Sequence, residues 1–169
     1  LYGKTVLVTA GPTYEAIDPV RFIGNHSSGL MGFEIANHAA QLGAEVIYIT
    51  GPTHYKTDHS RIKTIPVVSA EEMYTQVHAN FQSVDIAILS AAVADYKPKT
   101  TATSKIKKAS PTLSLELEKT KDILASLGTI KSHQLLVGFA LETNDEVANA
   151  IKKLKSKNLD LIVLNSLND

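Results

Sequence analysis

The sequence predicts an α/β domain: a Rossmann-like, doubly wound and mainly parallel sheet, with a flap and an antiparallel strand inserted after the fourth strand. Three observations lead there. Near-continuous apolar segments alternate with segments of helical periodicity, the pattern of strands buried on both faces. The length of 169 residues suits one domain with a proper core. A single Lys-, Thr-, Ser- and Pro-rich stretch breaks the alternation after the fourth strand.

Residues 4–10 form a short β-branched run stopped by Gly11-Pro12, which reads as a buried strand. A polar insert over residues 11–26 follows. From residue 28 to 42 the apolar positions Met31, Ile35, Ala36, Ala39, Ala40 and Leu42 keep helical spacing. Ser27 or Ser28 is expected as N-cap and Gly43 as the stop. Residues 45–50 make a second strand and 61–68 a third. Ser69-Ala70-Glu71-Glu72 then opens a helix with a capping-box pattern. Residues 84–91, 134–141 and 159–164 read as strands four to six, with helices over 121–131 and 145–157 between the last three. Crossovers are expected to be right-handed. Over 92–118 the chain reads as a flap, ending in the alternating residues 113–118, a half-exposed antiparallel strand.

Composition narrows the function. Acidic and basic residues balance at 17 each, so no global field favours nucleic acid or a membrane. Cysteine is absent, which excludes disulfides, thiolate zinc sites and a cysteine nucleophile in this segment. No apolar run approaches the roughly 20 residues of a membrane helix, and no signal peptide opens the chain. A cytoplasmic setting is expected. Leu1 in place of methionine suggests a processed end or a cut from a longer polypeptide.

Several common sites are missing. The six histidines lack metal-ligand spacing, and no Gly-x-Gly-x-x-Gly, P-loop or nucleophile elbow is present. Four other groups stand out. In the first insert, Asp18, Arg21 and Asn25-His26-Ser27-Ser28-Gly29 precede a helix N-terminus, where backbone N–H groups favour an anion. Arg21 can fork onto a phosphate or carboxylate; equally, it can pair with Asp18 while a serine caps the helix. At the end of strand four, Ser90-Ala91-Ala92-Val93-Ala94-Asp95 lets a ligand approach the backbone, with Asp95 placed for a ribose hydroxyl or a metal. A tight turn with a solvated aspartate fits as well. Lys105-Ile106-Lys107-Lys108 is either a solvated run or a source of charge for a transition state. Gly138-Phe139-Ala140-Leu141-Glu142-Thr143 ends strand five, and Lys153 and Lys157 share one face of the next helix. All four groups fall at strand ends or in the loops beyond them.

In order and spacing, these motifs resemble bacterial phosphopantothenate–cysteine ligase, the CTP-dependent phosphopantothenoylcysteine synthetase of coenzyme A biosynthesis, over Gly3 to Asn165. The resemblance implies that 4′-phosphopantothenate and L-cysteine are joined through an acyl-cytidylate, with release of CMP and pyrophosphate and with Mg²⁺ assistance. It implies Asn25 and Lys105 as catalytic residues, and Arg21, Asn25 and Ala92 as substrate contacts. Ser90, Ala91, Asp95, Lys105, Asp122, Ile123, Phe139, Lys153 and Lys157 would contact CTP. A homodimer is implied too. Leu30 stands where such ligases often carry lysine, and Thr120-Lys121-Asp122-Ile123 replaces a common Asn-Pro-Asp-Ile. The chain reads as one domain, 1–169, ending before the C-terminal tail of such ligases. Two other activities suit this fold: an NAD(P)-dependent oxidoreductase, and a non-catalytic nucleotide-binding module.

Overall fold

The computed structural model describes residues 1–108, 111–142 and 144–166. Six parallel strands build the main sheet: β1 (Thr5–Ala10), β4 (Glu45–Thr50), β5 (Ile62–Pro66), β6 (Ile86–Leu89), β9 (Leu135–Glu142) and β10 (Leu161–Ser166). Their spatial order is β10-β9-β6-β1-β4-β5. The chain therefore builds outward from β1 to one edge, returns beside β1, and builds to the other edge. That is the doubly wound arrangement, with its reversal between β1 and β6.

Alternation along β1 explains the layers. Val6, Val8 and Ala10 point to one face and pack with Ala36, Ala39 and Ala40 of α1 (Leu30–Gln41). Leu7 points to the other, where it joins Met73, Val77 and Phe81 of α2 (Ala70–Phe81) and Ile123, Leu124 and Leu127 of α3 (Ile123–Ile130). Leu154 of α4 (Glu146–Ser156) packs against the second cluster. Both faces of β1 are dry, which is why its sequence is apolar without alternation. Among the described residues no helix is long and apolar enough to cross a membrane.

The capping box opening α2 forms as expected: Ser69 Oγ accepts from Glu72 N–H, and the Glu72 carboxylate accepts from the Ser69 backbone. The start of α1 differs from expectation. Its N-cap is Gly29, in the left-handed region at φ 81°, with no side-chain cap bond. Ser27 and Ser28 close local turns instead, each accepting at 3.3 Å from the N–H two residues on.

Both inserts are more ordered than the sequence suggested. Within 11–26 lies an antiparallel hairpin, β2 (Tyr14–Ala16) and β3 (Phe22–Gly24), with Tyr14 and Phe22 rings stacked at 3.9 Å. In the flap, β7 (Tyr96–Pro98) pairs antiparallel with β8 (Leu117–Lys119). The expected strand over 113–118 thus pairs only at its end. Its partner is three residues long and closes on Pro98, which has no N–H to donate.

Candidate functional site

The reversal of strand order opens a crevice at the carboxyl ends of β1 and β6. Threonines and Ser90 fix the turn that lines it. Ser90 Oγ donates to Thr9 O at 2.7 Å, and Thr13 Oγ1 accepts from Ala94 N–H at 2.9 Å. Asn25 approaches from the end of the hairpin, and its Nδ2 donates to Val93 O at 3.0 Å. Its amide therefore secures the turn that carries Ala92.

A cavity of about 490 Å³ lies beside this turn. Ala91, Asp95, Asp122, Ile123, Phe139, Lys153 and Lys157 all line it. Their elements are far apart in sequence, and the strand order brings them together. Lys157 Nζ pairs with Asp122 Oδ2 at 2.8 Å, while Lys153 Nζ donates to the Phe139 carbonyl at 2.7 Å. Burial pushes the Asp122 carboxyl up, but the Lys157 hydrogen bond, the Ala125 N–H and the charges of Lys157 and Lys153 outweigh it and leave it below its usual range. Asp122 is also the N-cap of α3, where a negative charge meets the positive helix end.

Two lining lysines escaped the sequence reading. Lys119 ends β8, and Lys121 pairs with Glu71 at 2.6 Å and lies 4.7 Å from the Tyr74 ring centroid. The signal was Lys119-Thr120-Lys121 at the end of an alternating segment, where strand period sends both lysines to one side. Four lysines against two aspartates make the lining cationic.

Five expected residues lie off this cavity's lining: Arg21, Asn25, Ser90, Ala92 and Lys105. Lys105 is exposed on the flap. Arg21 binds Asp18 through Nε at 3.1 Å and through Nη2, which also donates to Ile106 O at 2.8 Å. The pairing with Asp18 is thus the one that forms, and Asp18 is buried at 2 % exposure rather than on the surface. The N-terminus of α1 is closely packed by the chain itself. A Cβ on Gly29 would meet Thr53 Oγ1 at 3.2 Å, and one on Gly11 would meet Gly51 O at 3.1 Å. Thr143 lies outside the described residues.

The model of the DNA/pantothenate metabolism flavoprotein C-terminal domain matches residues 1–169. This chain belongs to that family. It is 54% identical over 170 residues to a cysteine/cysteine sulfinic acid decarboxylase from an unknown prokaryotic organism, covering 100% of this chain and 47% of that protein. It is 51% identical to the coenzyme A biosynthesis bifunctional protein CoaBC of Bacillus subtilis (strain 168), covering 99% of this chain and 41% of the relative. The chain thus spans less than half the length of these curated relatives. Among solved structures, the C-terminal domain of a CoaBC superposes with a TM-score of 0.86 at 48% identity, over 96% of this chain and 77% of the other. The DNA/pantothenate metabolism flavoprotein from Streptococcus pneumoniae gives a TM-score of 0.88 at 27% identity, over 98% and 83%.

These names carry decarboxylation and a flavin, and none of them names CTP-dependent ligation. The expectation of a phosphopantothenate–cysteine ligase forming a C–N bond is therefore not retained. With it go CTP as co-substrate, Mg²⁺ as cofactor, and 4′-phosphopantothenate with L-cysteine as the reacting pair. Coenzyme A biosynthesis is what the names of the CoaBC relatives state. Among the described residues no three His, Asp or Glu side chains converge to hold a metal ion. The ordered motifs pointed to that ligase, and the family match replaces that recognition; shared motifs do not by themselves fix an activity.

Proposed function

We propose that this chain is the C-terminal part of a cytoplasmic flavoprotein of coenzyme A biosynthesis, that the whole protein decarboxylates phosphopantothenoylcysteine, and that this part contributes a pocket for a phosphorylated, nucleotide-sized ligand. The observation that carries the last clause is the cationic cavity at the strand-order reversal, with Lys119, Lys121, Lys153 and Lys157 on its wall. Lysines suit phosphate as point charges, and small residues such as Ala91 let a ligand reach the backbone. The relatives' names supply decarboxylation, coenzyme A biosynthesis and a flavoprotein of pantothenate metabolism, from which the substrate is inferred.

An FMN phosphate would find cations here, but the cavity does not fit the flavin ring. Six of its 16 lining residues are charged, and only Tyr96 and Phe139 are aromatic. The Phe139 carbonyl is already taken by Lys153. A tricyclic redox ring needs flat apolar walls and set hydrogen bonds at its nitrogens. In this reading the flavin belongs to the larger protein, whose overall activity supplies the decarboxylation.

Calorimetry on the full-length protein tests the pocket, using phosphorylated and unphosphorylated partners: a nucleoside monophosphate against its nucleoside, and FMN against riboflavin. The expected result is tighter binding of the nucleoside monophosphate than of its nucleoside, lost in Lys157→Ala, with any FMN uptake indifferent to that substitution. Equal binding of nucleoside and monophosphate overturns the pocket assignment, and FMN uptake that depends on Lys157 places the flavin in this cavity. Absence of CO₂ release from phosphopantothenoylcysteine by the FMN-loaded protein sinks the decarboxylase half.

A further inference from the structure

The two inserts are joined by a clamp that the reading above does not use. Asp18 Oδ1 accepts from Val20 and Arg21 N–H at 2.8 and 2.9 Å and so closes the hairpin turn. Its Oδ2 faces the flap, where it accepts from Ile106 N–H at 3.1 Å. Arg21, held by the same oxygen, donates through Nη2 to the carbonyl of the same residue at 2.8 Å. Both polar groups of one peptide residue are thus held by one ion pair. Two more bonds tie the flap root to the hairpin: Ala102 N–H to Ile17 O at 3.0 Å, and Thr101 Oγ1 to Ala16 O at 3.1 Å.

We propose that Asp18 is a positioning residue that locks the root of the flap to the hairpin through Ile106, so that the two move as one body and the backbone carrying Lys105 and Lys107 is held in place. Fixing the N–H and C=O of Ile106 fixes the peptide planes on either side, and with them the Cα positions of its lysine neighbours. Lysine side chains remain free beyond Cα, so the clamp sets their origin rather than their tips. A surface ion pair is easily lost to solvent and salt. This carboxylate is sequestered from water and meets donors on every side recorded for it, as a buried charge requires. The Arg21 guanidinium, first among the hydrogen bonds to it, holds the Asp18 carboxyl far below the usual carboxylate range, so the clamp stays charged at neutral pH.

The test is amide exchange and tryptic cleavage on the full-length protein. In Asp18→Asn, exchange at the Ile106 amide and cleavage after Lys105 should each quicken by about tenfold or more. Exchange at Leu7 and Val8 in the central strand should not change. A folded Asp18→Asn protein with unaltered Ile106 exchange overturns the proposal. Should that variant fail to fold, Ile106→Pro removes the donated N–H without touching the hairpin; faster exchange at Ala102 and faster cleavage after Lys107 support the clamp, and parental values overturn it. Arg21→Lys keeps a cation beside Asp18 but loses the fork. It should loosen Ile106 less than Asp18→Asn does, whereas a purely local hairpin role would leave Ile106 unmoved in both.

Discussion

Lys157 Nζ and Asp122 Oδ2 lie 2.8 Å apart, joining the C-cap of α4 to the N-cap of α3 on the wall of the cavity. Each charge complements the helix end it occupies. In Lys157→Met the half-exposed carboxylate keeps its burial but loses its main compensating partner, so its pKa should rise. A lowered carboxyl pKa stabilises the fold above the unfolded value of 3.8, and that stability is lost as pH falls through the lower folded value. The substitution should therefore move acid unfolding to higher pH. Carbon-detected titration of Asp122 checks the shift, and an unchanged titration would refute the pairing.

Gly128 controls the same lysine from below. A Cβ there would come within 2.0 Å of the Lys157 carbonyl oxygen, which is backbone and cannot swing aside. Gly128→Ala should cost about 1–3 kcal/mol by overpacking, read by urea denaturation. It should also weaken binding of phosphorylated ligands by displacing Lys157. Loss of stability with intact binding would detach Lys157 from the ligand.

His78 makes stability depend on pH. It lies between α2 and α3, with Nε2 2.8 Å from Ser126 Oγ, its ring stacked on Tyr74 at 4.1 Å, and Lys121 nearby. Burial, then the Lys121 charge, lower its pKa from 6.5. The folded state therefore favours neutral imidazole. Stability should be full above 6.5 and decline as pH falls from there to the lower folded value. His78→Gln should flatten that decline in denaturation curves collected across the interval.

Ser69→Ala removes the side-chain acceptor at the start of α2 and should cost about 1 kcal/mol. Thermal unfolding measures it. Glu72→Gln, which can still accept from the Ser69 and Val68 backbone, should cost less.

The sheet was legible because the main strands other than β5, whose Lys63 and Thr64 are exposed, are largely apolar runs closed by Gly, Pro or polar residues. Strand order was not written in any one segment; the pairing of β1 with both β4 and β6 shows it. β2 and β3 escaped because three residues cannot display alternation, and what holds them is the Tyr14–Phe22 stack and the Asp18 turn. At the site, Lys153 and Lys157 were visible through their helical spacing. Lys119 fell in the gap between the flap, read over 92–118, and the next helix, and Lys121 was read only as the start of that helix. Arg21 was ambiguous on its own, since a guanidinium beside an aspartate reads equally as ligand fork or internal pair; burial of Asp18 decides it.

The cavity wall draws on Thr9 near the start of the chain and on Lys157 near its end. During synthesis, then, no ligand can be gripped by Lys153 and Lys157 until α4 has emerged and docked. Chains broken before α4 would keep most of the sheet and lose Lys153 and Lys157. A bound phosphorylated compound would favour the state with α4 docked by mass action, so occupancy would report on that docking as well as on affinity.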